Sequence, residues 1–147
     1  MSALTRSCFR RARRAEGFTL LELLVVLVIL ALLAALAVPQ VLKYVGRAKT
    51  DTARIEIQNL GSVLDLYALD VGRYPTADEG LVALVERPPD AKRWDGPYLK
   101  SREMILDPWG NPYSYRIPGR NGKYDLFTLG ADNAEGGEGE NEDVGNP

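Results

Sequence analysis

The chain has 147 residues, of which 46% are hydrophobic and 26% charged, a composition typical of one globular domain with a packed core. It contains no His and a single Cys, Cys8. These absences exclude His-based acid–base catalysis, His-ligated metals, thiolate zinc sites and an intramolecular disulfide. A resident metal would have to be a hard cation bound by oxygen atoms.

The formal net charge of −2 combines a basic leader with an acidic remainder. Residues 1–17 carry five Arg and one Glu, a contribution of +4 that leaves −6 for the rest of the chain. The basic cluster directly precedes an apolar segment, and the rest of the sequence has no basic patch. This pattern favours a membrane-orientation signal over nucleic-acid binding.

Residues 18–38 form an apolar segment in which Thr19 and Glu22 are the only polar members. As a helix this segment would be about 31 Å long, enough to cross the hydrocarbon core of a bilayer. The excess of Arg before it predicts a cytoplasmic N-terminus, with the bulk of the chain outside the cytoplasm.

A secretory signal peptide is the alternative interpretation of the same segment. Ala35 and Ala37 form an A-x-A cleavage site behind an Arg-rich start, as such peptides require. Against it, the apolar run exceeds the usual 7–15 residues, and Glu22 lies inside it, where a carboxylate is costly. These physical grounds favour a retained helix but leave both interpretations open.

Residues 40–71 show a helical periodicity of apolar side chains, which predicts an amphipathic helix. Pro39 should kink the chain or start a new segment, because it removes a helical hydrogen-bond donor. We expect one long helix from the apolar segment into a head, with its upper half covering a core. The positions expected on its buried face are Val41, Val45, Ala48, Leu60, Leu64, Tyr67 and Val71.

The segment after this helix predicts a short second helix. Gly72 and Pro75 should end the long helix, and Thr76 and Glu79 have capping-box spacing. A helix over about 76–86 is expected, stopped by Pro88 and Pro89. Residues 90–103 look irregular, with Trp94 and Tyr98 as anchors against the core.

Three short strands are predicted next, at 104–106, 113–117 and 124–129. The last two should form a hairpin through residues 118–122, which contain an Asn-Gly turn signal. The predicted fold class is therefore α+β, with a long N-terminal helix packed against a small antiparallel sheet.

The C-terminal residues 130–147 contain six acidic side chains, five Gly and no basic residue. Without a cation, like charges at this density repel and predict a solvated, disordered tail. With Ca²⁺, carboxylates and backbone carbonyls could wrap one ion, although the spacing is not that of an EF-hand. The composition alone leaves both possibilities open.

The N-terminal motif Gly17-Phe-Thr-Leu-Leu-Glu22, between a basic leader and an unbroken apolar helix, resembles the class III signal of type IV pilins and pseudopilins. The resemblance implies that prepilin peptidase cuts between Gly17 and Phe18 and methylates the new N-terminus. Residues 1–17 would be a leader that carries Cys8 away, 18–38 the transmembrane and assembly helix, and 39–147 the periplasmic head.

This resemblance gives Glu22 a partner. A buried carboxylate needs a cation, and the charge available at that depth is the α-amine of mature Phe18, its own or a neighbour's. In the family, the pairing joins adjacent subunits of a helical filament. The alternative is a Glu22 that snorkels to the membrane edge.

Two further motifs resemble major pseudopilins of the type II secretion system: Tyr74-Pro-Thr76 with Gly80, Leu81 and Leu84, and Asp107-Pro-Trp-Gly-Asn-Pro-Tyr113. The resemblance implies a structural subunit without enzymatic activity, polymerising from the inner membrane into a periplasmic filament that helps to export folded proteins. Its implied partners are other copies of itself, minor pseudopilins, prepilin peptidase, the inner-membrane secretion platform and the membrane, but no nucleic acid.

The resemblance also implies a calcium-binding C-terminal loop. The matching positions are the Leu129 carbonyl, Asp132, Glu142 and Asp143. Major pseudopilins commonly have Asp where this chain has Glu142, and a Glu- and Gly-rich insertion lengthens the loop here.

Three other functions compete with the major pseudopilin. A type IV pilin often closes its C-terminal region with a disulfide, which a mature chain without Cys lacks. A minor pseudopilin at the filament tip typically lacks the acidic residue present here as Glu22. From another class, a calcium-binding domain or hydrolase could be secreted after cleavage at Ala37, but the absence of His removes the commonest general base.

Overall fold

The computed structural model describes residues 18–120 and 122–145. The predicted leader with Gly17, the turn residue Asn121 and the last two residues lie outside this range. Two compact units divide between Val38 and Pro39. The elements are helix α1 (Leu20–Val71), strands β1 (Ser114–Arg116), β2 (Asp125–Thr128) and β3 (Val144–Gly145), and 3₁₀ turns at Leu81–Leu84, Arg102–Ile105 and Gly139–Asn141.

Helix α1 begins at a side-chain cap. The Glu22 amide donates a 3.1 Å hydrogen bond to Thr19 Oγ1, which satisfies one of the free donors at a helix N-terminus. The whole helix is 52 residues long and continues without a break through Pro39. One long helix was predicted and is confirmed, whereas a new segment starting at Pro39 was wrong.

In the first unit, the described apolar side chains are exposed, including Leu36 at 77%. By length and composition, this part of α1 is sufficient to cross a membrane.

In the second unit, α1 buries one face against the head. Ile57, Leu60, Leu64 and Tyr67 lie in the core, at the spacing of three and four residues that keeps side chains on one helix face. The expectation for the lower part of this face was wrong, since Val41 and Val45 are 58% and 50% exposed and Ala48 is exposed. The buried positions there are Gly46 and Thr50.

The other side of this core comes from several short segments. Its buried members are Leu81, Ala83, Leu84, Leu99, Tyr113, Leu126 and Val144. The two predicted anchors are confirmed: Trp94 Nε1 donates a 2.9 Å hydrogen bond to the Ala83 carbonyl, and Tyr98 packs edge-on against the Tyr67 ring.

The predicted capping box forms, but the helix behind it does not. The Thr76 amide donates to the Glu79 carboxylate at 2.8 Å, and the Glu79 amide donates to Thr76 Oγ1 at 3.3 Å. The chain then makes a turn and one 3₁₀ turn, Leu81–Leu84. The cause is Gly80, whose φ of 54° and ψ of −162° are incompatible with a continuing helix.

The sheet is antiparallel with the order β1-β2-β3, and Ser114 pairs with Phe127 while Thr128 pairs with Val144. The predicted hairpin between β1 and β2 is confirmed. A strand at 104–106 was wrong, since Arg102–Ile105 is a 3₁₀ turn and Leu106 makes only an isolated bridge with Pro112. Strand β3 was not predicted.

A bidentate ion pair joins the end of α1 to the capping box. Arg73 Nη1 and Nη2 lie 2.6 and 2.7 Å from the two Glu79 carboxylate oxygens. The hydrogen bonds from Arg73 are the main reason that the pKa of Glu79 falls from 4.5 to about 2.

Glu79→Gln should reduce the pH dependence of stability in acid. A carboxylate with a lowered pKa contributes stability that is present above pH 4.5 and lost as the pH falls toward 2. We expect the Gln variant to be about 1–2 kcal/mol less stable at pH 7, since the Arg73 side chain is 36% exposed and solvent weakens the pair. The two proteins should converge as the pH falls from 4.5 toward 2. Melting curves from pH 2 to 7 measure this, with Asp78→Asn as the exposed control, and parallel curves would contradict it.

Candidate functional site

The first candidate site is the start of α1. Phe18 is 82% exposed and Glu22 lies in the first helical turn. Thr19 and Glu22 also have capping-box spacing, and the half of that motif in which Thr19 accepts from the Glu22 amide is present. Glu22 therefore stands where it could serve both the helix end and an assembly contact. The Thr19 cap was not predicted from the sequence.

The second candidate site is the C-terminal loop, residues 129–143. The pairing of Thr128 with Val144 places Leu129 and Asp143 at the adjoining ends of β2 and β3. The Ala131 amide donates a 2.9 Å hydrogen bond to the Glu140 carbonyl. The structure thus brings together, at one end of the sheet, the two stretches of chain that carry the four predicted ligand residues.

The carboxylates in this loop contact backbone amides. Asp132 Oδ1 accepts from the Ala134 amide at 3.2 Å, and Asp143 Oδ2 accepts from the Gly136 amide at 2.9 Å. Within the described residues, no three acidic, His or Cys side chains gather at one point that could hold a metal ion. The donors are nevertheless all oxygen atoms, the type that fits a hard cation such as Ca²⁺.

Two glycines allow the two sides of the loop to approach. Gly130 and Gly137 have φ of 72° and 104°, in the region that favours glycine. A Cβ at Gly130 would lie 2.8 Å from the Asn141 carbonyl carbon. Any other residue would therefore push apart the two stretches that carry the predicted ligands.

The motif at 107–113 holds the base of this loop. Asp107 is 5% exposed, and its Oδ1 accepts from the amides of Trp109 and Asn111 at 3.0 and 2.8 Å. Its Oδ2 accepts from the Thr128 hydroxyl, at the end of β2. All these bonds satisfy a buried charge that would otherwise be costly.

Asn111 extends the same support by one residue, since its Nδ2 donates a 3.2 Å hydrogen bond to the Gly130 carbonyl. In the sequence this motif served only as a family signature, and its contact with the loop was not predicted. Its Pro, Gly and Asn residues predict a turn. They do not predict that this turn contacts the C-terminal loop.

Two family models match this chain, one over the head and one over the N-terminal segment. The family model "Type II secretion system (T2SS), protein G" matches residues 40–147. The model "Prokaryotic N-terminal methylation motif" matches residues 12–38. The chain belongs to the type II secretion system protein G family. The family resemblance seen in the sequence is therefore confirmed.

Individual members of this family match the present chain over nearly its whole length. The type II secretion system core protein G of Pseudomonas aeruginosa is 48% identical over 139 residues, which cover 91% of this chain and 96% of that protein. The core protein G of Vibrio cholerae is 46% identical and covers 93% of this chain and 94% of that protein.

The protein G fold is also known from a crystal structure, that of the major pseudopilin from the type 2 secretion system of enterohaemorrhagic Escherichia coli. It is 36% identical and superposes with a TM-score of 0.57 over 67% of this chain and 86% of that chain. The chain is accordingly a type II secretion pseudopilin, a structural subunit of the secretion system.

Proposed function

We propose that this chain is the subunit that builds the periplasmic filament of its type II secretion system. It polymerises from the inner membrane and helps to drive folded proteins across the outer membrane. The observation that carries this proposal is the first part of α1, where apolar side chains are exposed along the helix. Such a surface must be covered by lipid or by other helices.

The orientation of this single membrane span follows from the charges that precede it. The Arg-rich stretch before residue 18 stays in the cytoplasm by the positive-inside rule, and residues 39–147 lie in the periplasm. A match to the N-terminal methylation motif over residues 12–38 supports processing at Gly17. The partners are prepilin peptidase, the inner-membrane secretion platform, minor pseudopilins and further copies of the chain.

Removal of the leader creates the charge that assembly needs. Before cleavage, Phe18 carries an amide at its N-terminus, whereas afterwards it carries an N-methyl amine that is a cation. In the protein-lined core of a filament, this cation and the Glu22 carboxylate of an adjacent subunit neutralise each other. Proteolysis thereby makes assembly depend on a completed maturation.

The C-terminal loop is proposed to bind Ca²⁺ through the Leu129 carbonyl and the side chains of Asp132, Asp143 and Glu142. The juxtaposition of the β2 and β3 ends and the oxygen-only donors support this assignment. Bound Ca²⁺ would offset the repulsion among the six acidic side chains. The chain's own contribution is the loop backbone, whose two sides approach closely at Gly130 and Gly137 and whose base is fixed by Asp107 and Asn111.

N-terminal sequencing of the protein purified from membranes tests the proposal. We expect the mature chain to begin at N-methyl-Phe18, because the peptidase cuts after Gly17. Ala35→Leu removes the alternative secretory cleavage site and should leave this start unchanged. A mature chain beginning at Val38 would show a secreted domain without the assembly helix.

A further inference from the structure

Two small residues of α1 are buried where the helix is otherwise exposed. Gly46 and Thr50 are buried, while Val45, Arg47 and Ala48 beside them are exposed. Their cover is the Gly139–Asn141 turn of the C-terminal loop. The loop thus contacts α1 below the apolar core that Ile57 and Leu60 begin.

The Thr50 hydroxyl carries the polar part of this contact. It lies 3.2 Å from the Gly46 carbonyl, the usual local partner four residues earlier, and 3.1 Å from the Gly139 carbonyl, 89 residues away. A Thr inside a helix normally bonds only its own helix. The second acceptor makes Thr50 a tertiary contact to the loop.

Gly46 supplies the space in which the Glu140 side chain contacts α1. A Cβ at this position would lie 3.1 Å from Glu140 Cβ and 3.3 Å from Glu140 Oε2, so a larger residue would displace the glutamate. A glycine inside a helix costs about 1 kcal/mol relative to Ala. The close approach of Glu140 gives this glycine a physical reason.

Charge favours the same arrangement. Lys43 and Arg47 line the same groove as Gly46, Glu138 and Glu140. Opposite charges at the rim of a groove attract, although solvent screening keeps each such contact weak. The loop therefore has a polar, a steric and an electrostatic reason to lie on this turn of α1.

We propose that Gly46 and Thr50 are positioning residues that seat the Gly139–Asn141 turn on α1. By holding this turn against the helix, they fix the metal-binding loop. The Glu140 carbonyl also accepts the 2.9 Å hydrogen bond from Ala131, next to Asp132, and Glu142 follows two residues later. Release of the turn from α1 would thus loosen both stretches that carry the ligands. The calcium part of this inference rests on the proposed function.

Disulfide trapping tests the seating without reference to metal. In the full chain carrying Cys8→Ser, the pair Gly46→Cys with Glu140→Cys should crosslink at least tenfold faster than Ala48→Cys with Glu140→Cys. The Cβ separation of 3.1 Å needs to widen by only a few tenths of an ångström to suit a disulfide, whereas Ala48 lies on the exposed side. Equal rates for the two pairs would overturn the seating.

Calcium titration of the full chain in detergent tests the positioning role. Thr50→Val should raise the Ca²⁺ dissociation constant about fivefold, the effect of losing one hydrogen bond. Thr50→Ser should restore the parent value. The matched control is Thr52→Val, because Thr52 makes the same local bond, at 2.8 Å to the Ala48 carbonyl, but is exposed. A dissociation constant that changes equally in Thr50→Val and Thr52→Val would overturn the role of Thr50.

The two experiments separate failure of the inference from failure of the metal assignment. If the parent chain binds no Ca²⁺ but the Gly46–Glu140 pair crosslinks selectively, the metal assignment and the positioning role both fall and the seating stands. If the parent binds Ca²⁺ and neither Thr50→Val nor the crosslinking pair differs from its control, the inference falls and the metal assignment stands.

Discussion

Replacing Glu22 by Ala is expected to reduce filament formation at least tenfold while leaving membrane insertion and leader removal intact. The carboxylate is the only acidic group in the apolar segment 18–38, so in the proposed assembly its loss leaves the N-terminal cation of a neighbouring subunit without a partner. Breaking one side of a buried ion pair typically costs about 3–5 kcal/mol. Since 1.4 kcal/mol is a factor of ten, filament yield should fall at least tenfold.

The Thr19 cap offers a second explanation of the same loss, and Glu22→Gln separates the two. Glutamine can complete a capping box as glutamate does, but it carries no charge. If Glu22 acts through its charge, the Gln variant should assemble as poorly as the Ala variant. Thr19→Ala, which removes the observed 3.1 Å cap and keeps the carboxylate, should assemble far better than either.

The measurement is the amount of sheared filament relative to membrane-bound mature monomer, with the N-terminus sequenced in each variant. Parent-like filament yield for Glu22→Ala would show that Glu22 does not govern assembly. Parent-like yield for Glu22→Gln alone would assign Glu22 to the helix cap instead.

Helix α1 shows how far periodicity carries a prediction. Its apolar run and helical spacing predicted one long helix, and they correctly placed Leu60, Leu64 and Tyr67 in the core. The same reasoning wrongly buried Val41 and Val45. A helical period shows that an apolar face exists, but it does not show whether the same chain covers that face.

The short elements lay beyond what local signals can resolve. Strand β3 has two residues inside an acidic tail, too few to show an alternating pattern. The segment after Thr76 carries good helix signals, yet the φ of 54° at Gly80 limits it to a 3₁₀ turn. Pairing with β2 decided β3, whereas the backbone conformation of Gly80 decided the segment after Thr76.

The contacts that support the C-terminal loop could not be predicted from the sequence. The composition of residues 130–147 left a cation loop and a solvated tail both open, and the family resemblance supplied the ligand positions. The contacts that hold this loop join Asp107 to Thr128, Asn111 to Gly130, and Thr50 to Gly139. These pairs are far apart in the sequence, and no spacing rule connects them.

Calcium should raise the melting temperature of the purified chain, and Asp132→Ala and Asp143→Ala should each abolish that rise. A ligand that binds only the folded loop stabilises it by mass action, by about 2.7 kcal/mol at a hundredfold excess over its dissociation constant. For a head of this size, that is roughly 10–20 °C. Mg²⁺ should substitute poorly, because it demands a tighter octahedral site.

Glu135→Ala is the matched control for this experiment, since Glu135 is exposed in the same loop but is not among the predicted ligands. It removes one negative charge, as the two Asp variants do, and should keep the full response to Ca²⁺. Removal of charge alone would relieve repulsion in all three variants equally. An unchanged melting curve for the parent chain with chelator and with Ca²⁺ would instead make residues 130–143 a loop closed by its own hydrogen bonds, such as that between the Gly136 amide and Asp143. The assembly role would survive that result, because it depends on Glu22 and the exposed apolar part of α1.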